Sequence, residues 1–337
     1  MFPEAYIQTL IDGTQTVRAL LPDLEHAAEA AAGRLISGGD LYIASVRPDF
    51  VSEGYIRSGG LMMLREYDPA DPPKPRDVVI FGWTGVNGEA DLALLTEIQA
   101  TGALIIGIGP DMHELVAALT RQNRMPVLFQ SVLVPGARDR NASFGTKRFH
   151  PSHTVPSLSP GQLASVYLDG ISSCLCSLLS ESNALTEAAE TCSKVLAGGH
   201  RIHAFLISHF PIHQAGAPGD PGHMTPLEVI TGETPDTDEL DQKLTSGDLF
   251  FFLGYYRRPR QAYELARSRG CQIVEVVTGD NTPTTGPLPE HVITPGWHYT
   301  DALVEVPGYD IRILPASGIL QSTVYWSIVG RITKLSS

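Results

Sequence analysis

Arg76-Asp77-Val-Val-Ile-Phe81 is followed by a loop, by the segment Leu92 to Gly102 and by the run Ala103-Leu-Ile-Ile-Gly107, and this order of segments indicates the fold class. The same order returns later as Gly247-Asp248-Leu-Phe-Phe-Phe252, a loop, Gln261 to Gly270 and Gln272-Ile-Val-Glu-Val276. Short apolar runs that alternate with helical segments of about 10–15 residues are typical of parallel sheets covered by helices. The sequence therefore predicts an α/β fold.

The order of segments upstream of these stretches also recurs. A helical run ends at Gly38-Gly39 before Leu41-Tyr-Ile-Ala-Ser45, and another ends at Gly198-Gly199 before Ile202-His-Ala-Phe-Leu-Ile207. Gly39 is thus matched with Gly199, and Asp77 with Asp248, at similar offsets along the chain. Such self-similarity predicts a tandem duplication, with a first domain over residues 1–182 and a second over 183–337.

Composition narrows the classes of partner and location. The chain has 337 residues, of which 43% are hydrophobic and 18% charged, enough to bury two cores. No apolar run reaches the roughly 20 residues that span a bilayer, and the first residues lack a secretory pattern, so we expect a cytoplasmic protein without a membrane partner. The net charge of −13, without a compensating basic run, argues against nucleic acid.

The four cysteines are expected to be reduced core residues. Cys174 and Cys176 are two positions apart, so on a helix they point in different directions and are poorly placed to share a metal ion. We expect neither a cofactor nor a metal site from them.

The loop Gly82-Trp-Thr-Gly-Val-Asn-Gly-Glu89 follows a predicted strand and precedes a predicted helix. Ligands of parallel sheets bind beyond the carboxyl ends of the strands, where helix N-termini favour anions. Its three glycines allow close backbone approach, and Thr84 and Asn87 add polar side chains. The loop is predicted to bind an anion; the alternative is a tight turn in which Thr84 or Asn87 caps the helix.

At this loop the chain resembles the sugar isomerase (SIS) domain family, whose Ser-x-Ser-Gly-x-Thr-like loop holds the phosphate of a sugar phosphate. Thr84, Gly85 and Asn87 match that stretch, and Gly82 stands where the first serine would be. The passage from Ala100 to Ile108 and the chain end from Asp301 to Gln321 are also similar to the family. The resemblance implies phosphate binding by Thr84, Gly85, Asn87 and Gly88, with Ser45 and Arg47 as further partners.

The corresponding loop of the second copy, Leu253-Gly-Tyr-Tyr-Arg-Arg-Pro-Arg260, has none of the family's hydroxyl groups. Arg257 and Arg258 could bind a phosphate instead, because guanidinium groups hold phosphate bidentately. A solvated loop is the alternative interpretation.

The resemblance implies two SIS-like three-layer αβα domains of flavodoxin or Rossmann type that bind a phosphorylated sugar and act as an aldose–ketose isomerase. Family sites form where two such domains meet, so a homodimer or a pseudo-dimer within one chain is expected. Isomerisation needs an acid and a base. Glu53 and His209 are the candidates that we select for these roles.

Two other functions stay open. A non-catalytic sugar-phosphate sensor would keep the binding loop without the acid and base. A metal-dependent hydrolase or isomerase could use the histidine-rich region at residues 200–223, since imidazole and carboxylate groups bind zinc or manganese. Its candidate ligands are His200, His203, His209, His213, Asp220 and His223. The segments 135–160 and 208–237 are expected to be irregular.

Overall fold

The computed structural model describes residues 2–57, 64–82, 88–107, 158–206, 223–227, 236–254, 258–278, 287–297, 302–307 and 312–336. Most of the segments 135–160 and 208–237, which were predicted to be irregular, lies outside these ranges, but the described part of the second segment contains a two-residue strand at Thr225–Pro226. The helices are α1 (Phe2–Ala19), α2 (Leu21–Ile36), α3 (Pro48–Arg57), α4 (Gly88–Ala100), α5 (Gln162–Ser180), α6 (Ser182–Ala197), α7 (Thr237–Lys243), α8 (Arg260–Ser268) and α9 (Ser317–Ser336).

The strands form two parallel sheets and one hairpin. The first sheet holds β1 (Leu41–Ser45), β2 (Leu64–Glu66), β3 (Val78–Gly82) and β4 (Leu104–Ile106). The second holds β5 (Ile202–Leu206), β6 (Thr225–Pro226), β7 (Leu249–Leu253), β8 (Gln272–Val276) and β9 (His291–Ile293). The hairpin pairs β10 (Ala302–Glu305) with β11 (Arg312–Pro315) in antiparallel orientation.

Both sheets follow one strand order. It is β2-β1-β3-β4 in the first sheet and β6-β5-β7-β8-β9 in the second, so the first four strands of each occupy equivalent places. All strand pairs within these two sheets are parallel. The predicted α/β fold is confirmed.

Contacts between residues in space divide the chain into two compact units, and each unit is built from separate segments of the sequence. The first-sheet unit comprises Thr16–Asp169 and Ala302–Pro315, and the second-sheet unit comprises Met1–Gln15, Gly170–Asp301 and Ala316–Ser337. This division differs from a single boundary between residues 182 and 183. Helices α1 and α5 each supply residues to both units.

A buried aspartate ties the start of two strands together in each sheet. Asp77, just before β3, accepts hydrogen bonds from the backbone N–H groups of Asp40 (2.9 Å) and Lys74 (2.7 Å). Asp40 directly precedes β1, so one carboxylate joins the starts of β1 and β3. A buried carboxylate needs such donors, because its desolvation is otherwise costly.

Asp248 repeats this arrangement before β7. Its carboxylate accepts from Arg201 N at 2.9 Å, from Thr245 N at 3.0 Å and from Thr245 Oγ1 at 2.9 Å. Burial alone raises the pKa of Asp248, but these hydrogen bonds outweigh it and leave the pKa below its ordinary value.

The sequence analysis matched Gly39 with Gly199 at the ends of the two helical runs, and the structure corrects this match by one position. Strand β1 starts at Leu41 and β5 at Ile202, and alignment on these starts makes Gly38, instead of Gly39, equivalent to Gly199. Both equivalent glycines have positive φ, 88° at Gly38 and 77° at Gly199. Positive φ is the reason glycine is needed at these helix ends.

His203, the second residue of β5, lies in the core of the second sheet. Its Nε2 is 3.2 Å from Asp248 Oδ2. Within the described part of the chain, its buried Nδ1 has no hydrogen-bond partner. Burial lowers the pKa of His203, and Asp248 only partly opposes the shift. Tyr42, the second residue of β1, holds the equivalent position in the first sheet.

Helix α5 explains a wrong prediction about the cysteines. Cys174, Cys192 and Cys271 are buried, but Cys176 is exposed. On α5, buried residues recur every three or four positions, and Cys176 falls on the face that also carries Asp169 and Ser173. By length and composition α5 could cross a membrane, although one buried and one polar face is typical of a core helix.

Replacing either anchoring aspartate with asparagine is expected to lower the free energy of unfolding by about 2 kcal/mol, because the amide NH₂ would face a backbone N–H donor. Urea denaturation of Asp77→Asn and Asp248→Asn tests this. The exposed Asp71 provides the control, since Asp71→Asn should change stability by less than about 0.5 kcal/mol. Wild-type stability in both anchor variants would contradict the proposed role.

Acidification should destabilise the second sheet through His203. Its pKa is lowered in the folded protein, whereas unfolded histidine takes up a proton near its ordinary pKa of 6.5. The unfolded state therefore binds more protons as the pH falls below about 6.5, and stability drops. Between about pH 7.5 and pH 5.5, His203→Gln should lose less unfolding free energy than the wild type, and the exposed His26→Gln should match the wild type. Equal losses in all three proteins would refute this.

Candidate functional site

The carboxyl ends of β1 and β3 meet at one edge of the first sheet. Ser45 pairs with Gly82 in the strand register, and the Ser45 hydroxyl donates a 2.8 Å hydrogen bond to the Gly82 carbonyl. The backbone N–H of Arg47 donates to the same hydroxyl oxygen at 3.2 Å. Ser45 therefore joins the two strand ends, and its single hydroxyl proton serves this bond.

Helix α4 follows this edge in the chain. Its first residue, Gly88, is exposed and follows β3 by six positions, so the predicted anion loop connects the two. Thr84, Gly85 and Asn87 lie outside the described residues. Glu89 and Asp91 in the first turn place negative charge at the helix N-terminus. They compensate the helix dipole, so anion binding here has to depend on the loop itself.

The other candidates near this edge are placed only in part. Arg47 is exposed and lies between β1 and α3. Glu53 lies in α3, but its side chain is outside the described part of the structure, as is the whole of His209. The proposed acid and base therefore stay predictions.

Phe50 was missed by the sequence analysis. A Cβ built on Gly82 would lie 2.4 Å from Cε1 of the Phe50 ring, which is far inside van der Waals contact. Any side chain at position 82 would displace the ring. This contact gives a packing reason for glycine where the family pattern has serine. In the sequence, the only sign of this contact was a glycine at the end of a predicted buried strand. Such a glycine does not show which residue packs against it.

Arg258, a predicted phosphate ligand of the second copy, is bound to a buried carboxylate. Its Nε lies 2.8 Å from both carboxylate oxygens of Glu275, and the Tyr263 hydroxyl donates to Glu275 at 2.6 Å. Glu275 is fully buried in β8. Burial raises its pKa, although Tyr263 and Arg258 act in the opposite direction. Arg257 lies outside the described residues.

The end of β7 is also occupied by protein groups. The buried Gln321 of α9 donates from Nε2 to the Gly254 carbonyl at 2.8 Å. Gly254 N donates to Val276 O, so the glutamine amide binds just where the β7–β8 ladder ends. The equivalent edge of the first sheet carries the Ser45–Gly82 bond instead. The two carboxyl edges therefore differ in chemistry.

Two of the described histidines of the predicted metal region lie beside one carboxylate. His200 Nδ1 is 3.9 Å from Asp248 Oδ1, and His203 Nε2 is 3.2 Å from Asp248 Oδ2. His223 lies elsewhere, with its Nε2 3.3 Å from Thr333 Oγ1. Over the described ranges, no group of three or more His, Cys, Asp or Glu residues could hold a metal ion. His209, His213 and Asp220 lie outside those ranges.

Comparison with known proteins identifies the fold. No protein-family model and no curated protein matches the sequence. Among solved structures, a candidate sugar-binding protein from Salmonella typhimurium LT2 matches with a TM-score of 0.50 and 12% identity, over 100% of this chain and 99% of the other. A candidate phosphosugar isomerase from Clostridium difficile 630 matches with a TM-score of 0.50 and 10% identity, over 100% and 94%.

This chain has their fold. At such low identity the likeness concerns architecture alone. It agrees with the SIS-like topology that the loop resemblance implies, and that topology is confirmed.

Removing Glu275 should destabilise the second-sheet unit, because Arg258 would keep a largely buried charge without its partner. Glu275→Leu is expected to cost about 3 kcal/mol of unfolding free energy. Glu275→Leu combined with Arg258→Met should recover part of this loss, because the charge of Arg258 is removed while the buried Tyr263 hydroxyl still lacks its acceptor. Urea denaturation measures both.

The exposed pair Arg260–Glu264 supplies a control, since Glu264→Gln should cost less than about 0.5 kcal/mol. Additive losses in the double variant would show that Arg258 and Glu275 do not act as a pair.

Proposed function

We propose that this protein binds a phosphorylated sugar, or a related carbohydrate derivative, at the carboxyl edge of its first sheet. The observation that carries this proposal is the Ser45–Gly82 bond, which holds the ends of β1 and β3 together beside the loop that leads to α4. The shared fold supports it, since one solved structure of this fold is described as a candidate phosphosugar isomerase.

The proposed phosphate contacts come from the loop and its surroundings. Thr84, Asn87 and the backbone N–H groups of Gly85 and Gly88 would donate to phosphate oxygens, and Arg47 would add positive charge. Ser45 would position the strand ends, because its proton is used by Gly82. Arg258 is paired with Glu275, which favours the first sheet as the phosphate site.

A duplication is proposed as the origin of the two sheets. The equivalent aspartates Asp77 and Asp248, each bound to the residue before the first central strand, support it. A cytoplasmic location and assembly as a dimer, or as a pseudo-dimer within the chain, belong to the same proposal.

Isomerase activity is the proposed chemistry, with Glu53 and His209 as base and acid. A sensor without turnover is the second candidate, favoured by the use of Ser45 and Arg258 in internal bonds. Nuclear magnetic resonance of each sugar phosphate incubated with the protein separates the two. Conversion between aldose and ketose supports the isomerase, and tight binding without conversion supports the sensor.

Sugar phosphates should raise the melting temperature of the protein, because a ligand that binds only the folded state stabilises it. At a concentration of about 100 times Kd the gain is about 2.7 kcal/mol. A thermal-shift screen with phosphorylated hexoses, pentoses, heptoses and amino sugars measures it. Thr84→Ala should reduce the shift by at least about half at the same ligand concentration.

The control variant is Thr96→Ala, whose exposed hydroxyl donates to the Leu92 carbonyl of α4. It should keep the full ligand-induced shift. If no sugar phosphate stabilises the wild type, and Thr84→Ala behaves like Thr96→Ala, phosphate binding at this edge is wrong.

A further inference from the structure

The imidazole ring of His203 has a hydrogen-bond partner on one side only. Its Nε2 lies 3.2 Å from Asp248 Oδ2, whereas its buried Nδ1 has no partner within the described part of the chain. Hydrogen bonds from Arg201 N, Thr245 N and Thr245 Oγ1 keep the pKa of Asp248 below its ordinary value, so its carboxylate is ionised and can only accept. His203 must therefore donate its Nε2–H, which leaves Nδ1 bare in the neutral ring.

A second proton would have to bind at this bare Nδ1. Only 2% of the His203 side chain is exposed, so the new N–H would be buried without an acceptor. Burial is the largest cause that lowers the pKa of His203; Asp248 opposes it, and the positive charges of Arg201 and Lys243 add to it. The other titratable neighbour, His200, lies on the far side of the carboxylate, 3.9 Å from Asp248 Oδ1. The closed structure thus excludes the proton from His203.

The first sheet has no such group at the equivalent place. Alignment on the strand starts matches Tyr42 with His203 and Gly39 with His200. Burial raises the pKa of Tyr42 from its ordinary value of 10.0, so this side chain stays uncharged near neutral pH. Among the described residues of the first-sheet unit, the one histidine is the exposed His26 of α2. The two sheets share the aspartate anchor, but in the second sheet a buried histidine contacts it.

We propose that His203 acts as a pH-sensitive switch of the second-sheet unit, in which acid opens the β5–β7 pair while the first sheet stays closed. Opening gives Nδ1 access to water, where it takes up the excluded proton. The bond between Asp248 and Arg201 N joins the starts of β7 and β5, so the same opening separates the two strands. Each unit is compact by itself, which allows one to open without the other. The switch is independent of the proposed function, because it lies at the amino ends of the second sheet.

Proton uptake by the open state sets the size of the effect. If the closed state stays unprotonated and the open state has the ordinary histidine pKa of 6.5, the opening equilibrium constant rises about tenfold between about pH 7.5 and pH 5.5. Amide hydrogen exchange in β5 and β7 should accelerate by the same factor, after correction for the intrinsic exchange rate at each pH. Exchange in β1 and β3 should change by less than about twofold, because no buried histidine contacts their anchor.

Hydrogen–deuterium exchange of the full chain at the two pH values, followed by mass spectrometry, tests the proposal. His203→Gln should abolish the acid response of β5 and β7, because glutamine can donate to Asp248 but does not titrate. His200→Gln is the matched control. His200 lies beside the same carboxylate, but 43% of its side chain is exposed, so its protonation does not require the strands to open. This variant should respond to acid as the wild type does.

The comparison of the two sheets within the wild type needs no variant, so it decides the matter even if His203→Gln folds poorly. Equal acceleration in both sheets, or none in the second, would overturn the proposal. So would an undiminished acid response in a folded His203→Gln. A response that disappears in His200→Gln would assign the effect to the exposed histidine and would likewise exclude His203 as the switch.

Discussion

The buried carboxylate at the start of the third strand is the constraint on which each sheet depends. Asp77 binds the backbone of Asp40, and Asp248 binds the backbone of Arg201, so each fixes the position of two neighbouring parallel strands at their amino ends. A shift of one residue would turn every side chain to the opposite face. Because the register is fixed at the amino ends of the strands, it also determines which residues lie opposite each other at the carboxyl ends, about 17 Å away. There Ser45 lies opposite Gly82.

The two sheets share this aspartate arrangement at the strand starts, but their carboxyl edges carry different side chains. In the first sheet, the strand ends carry a serine hydroxyl, a glycine and a partly exposed aromatic ring, and a helix follows them in the chain. In the second, Glu275 neutralises the nearest described arginine, and a buried glutamine binds the last carbonyl of β7. Catalytic or binding groups are added to a fold by such local changes, and they leave the architecture unchanged.

Sequence patterns predicted the central strands well and the sheet edges poorly. Apolar runs such as Leu249–Leu253 have clear lengths and boundaries, and they coincide with observed strands. Strands β2, β6 and β9 have only two or three residues and, unlike β4, are not formed by a continuous apolar run, so they were not predicted. The site was predictable only in outline. Glycines and hydroxyl residues after a strand point to its carboxyl edge, and Ser45 lies there as expected. The packing of Phe50 against Gly82 joins α3 to a strand that follows later in the chain, and the pairing of Arg258 depends on Glu275 in another element. Local patterns contain no information about such partners.

The interleaving of the two units constrains how the chain can fold during synthesis. The hairpin at residues 302–315 belongs to the unit of the first sheet, and helix α9 belongs with residues 1–15 to the unit of the second. Neither unit has all of its residues until nearly the whole chain has left the ribosome. After the strands of the first sheet have been synthesised, about 200 further residues are added before the hairpin of the same unit, at a rate of about 5–20 residues per second. A nascent chain of this kind exposes unfinished surfaces for tens of seconds, a period in which chaperones can bind it.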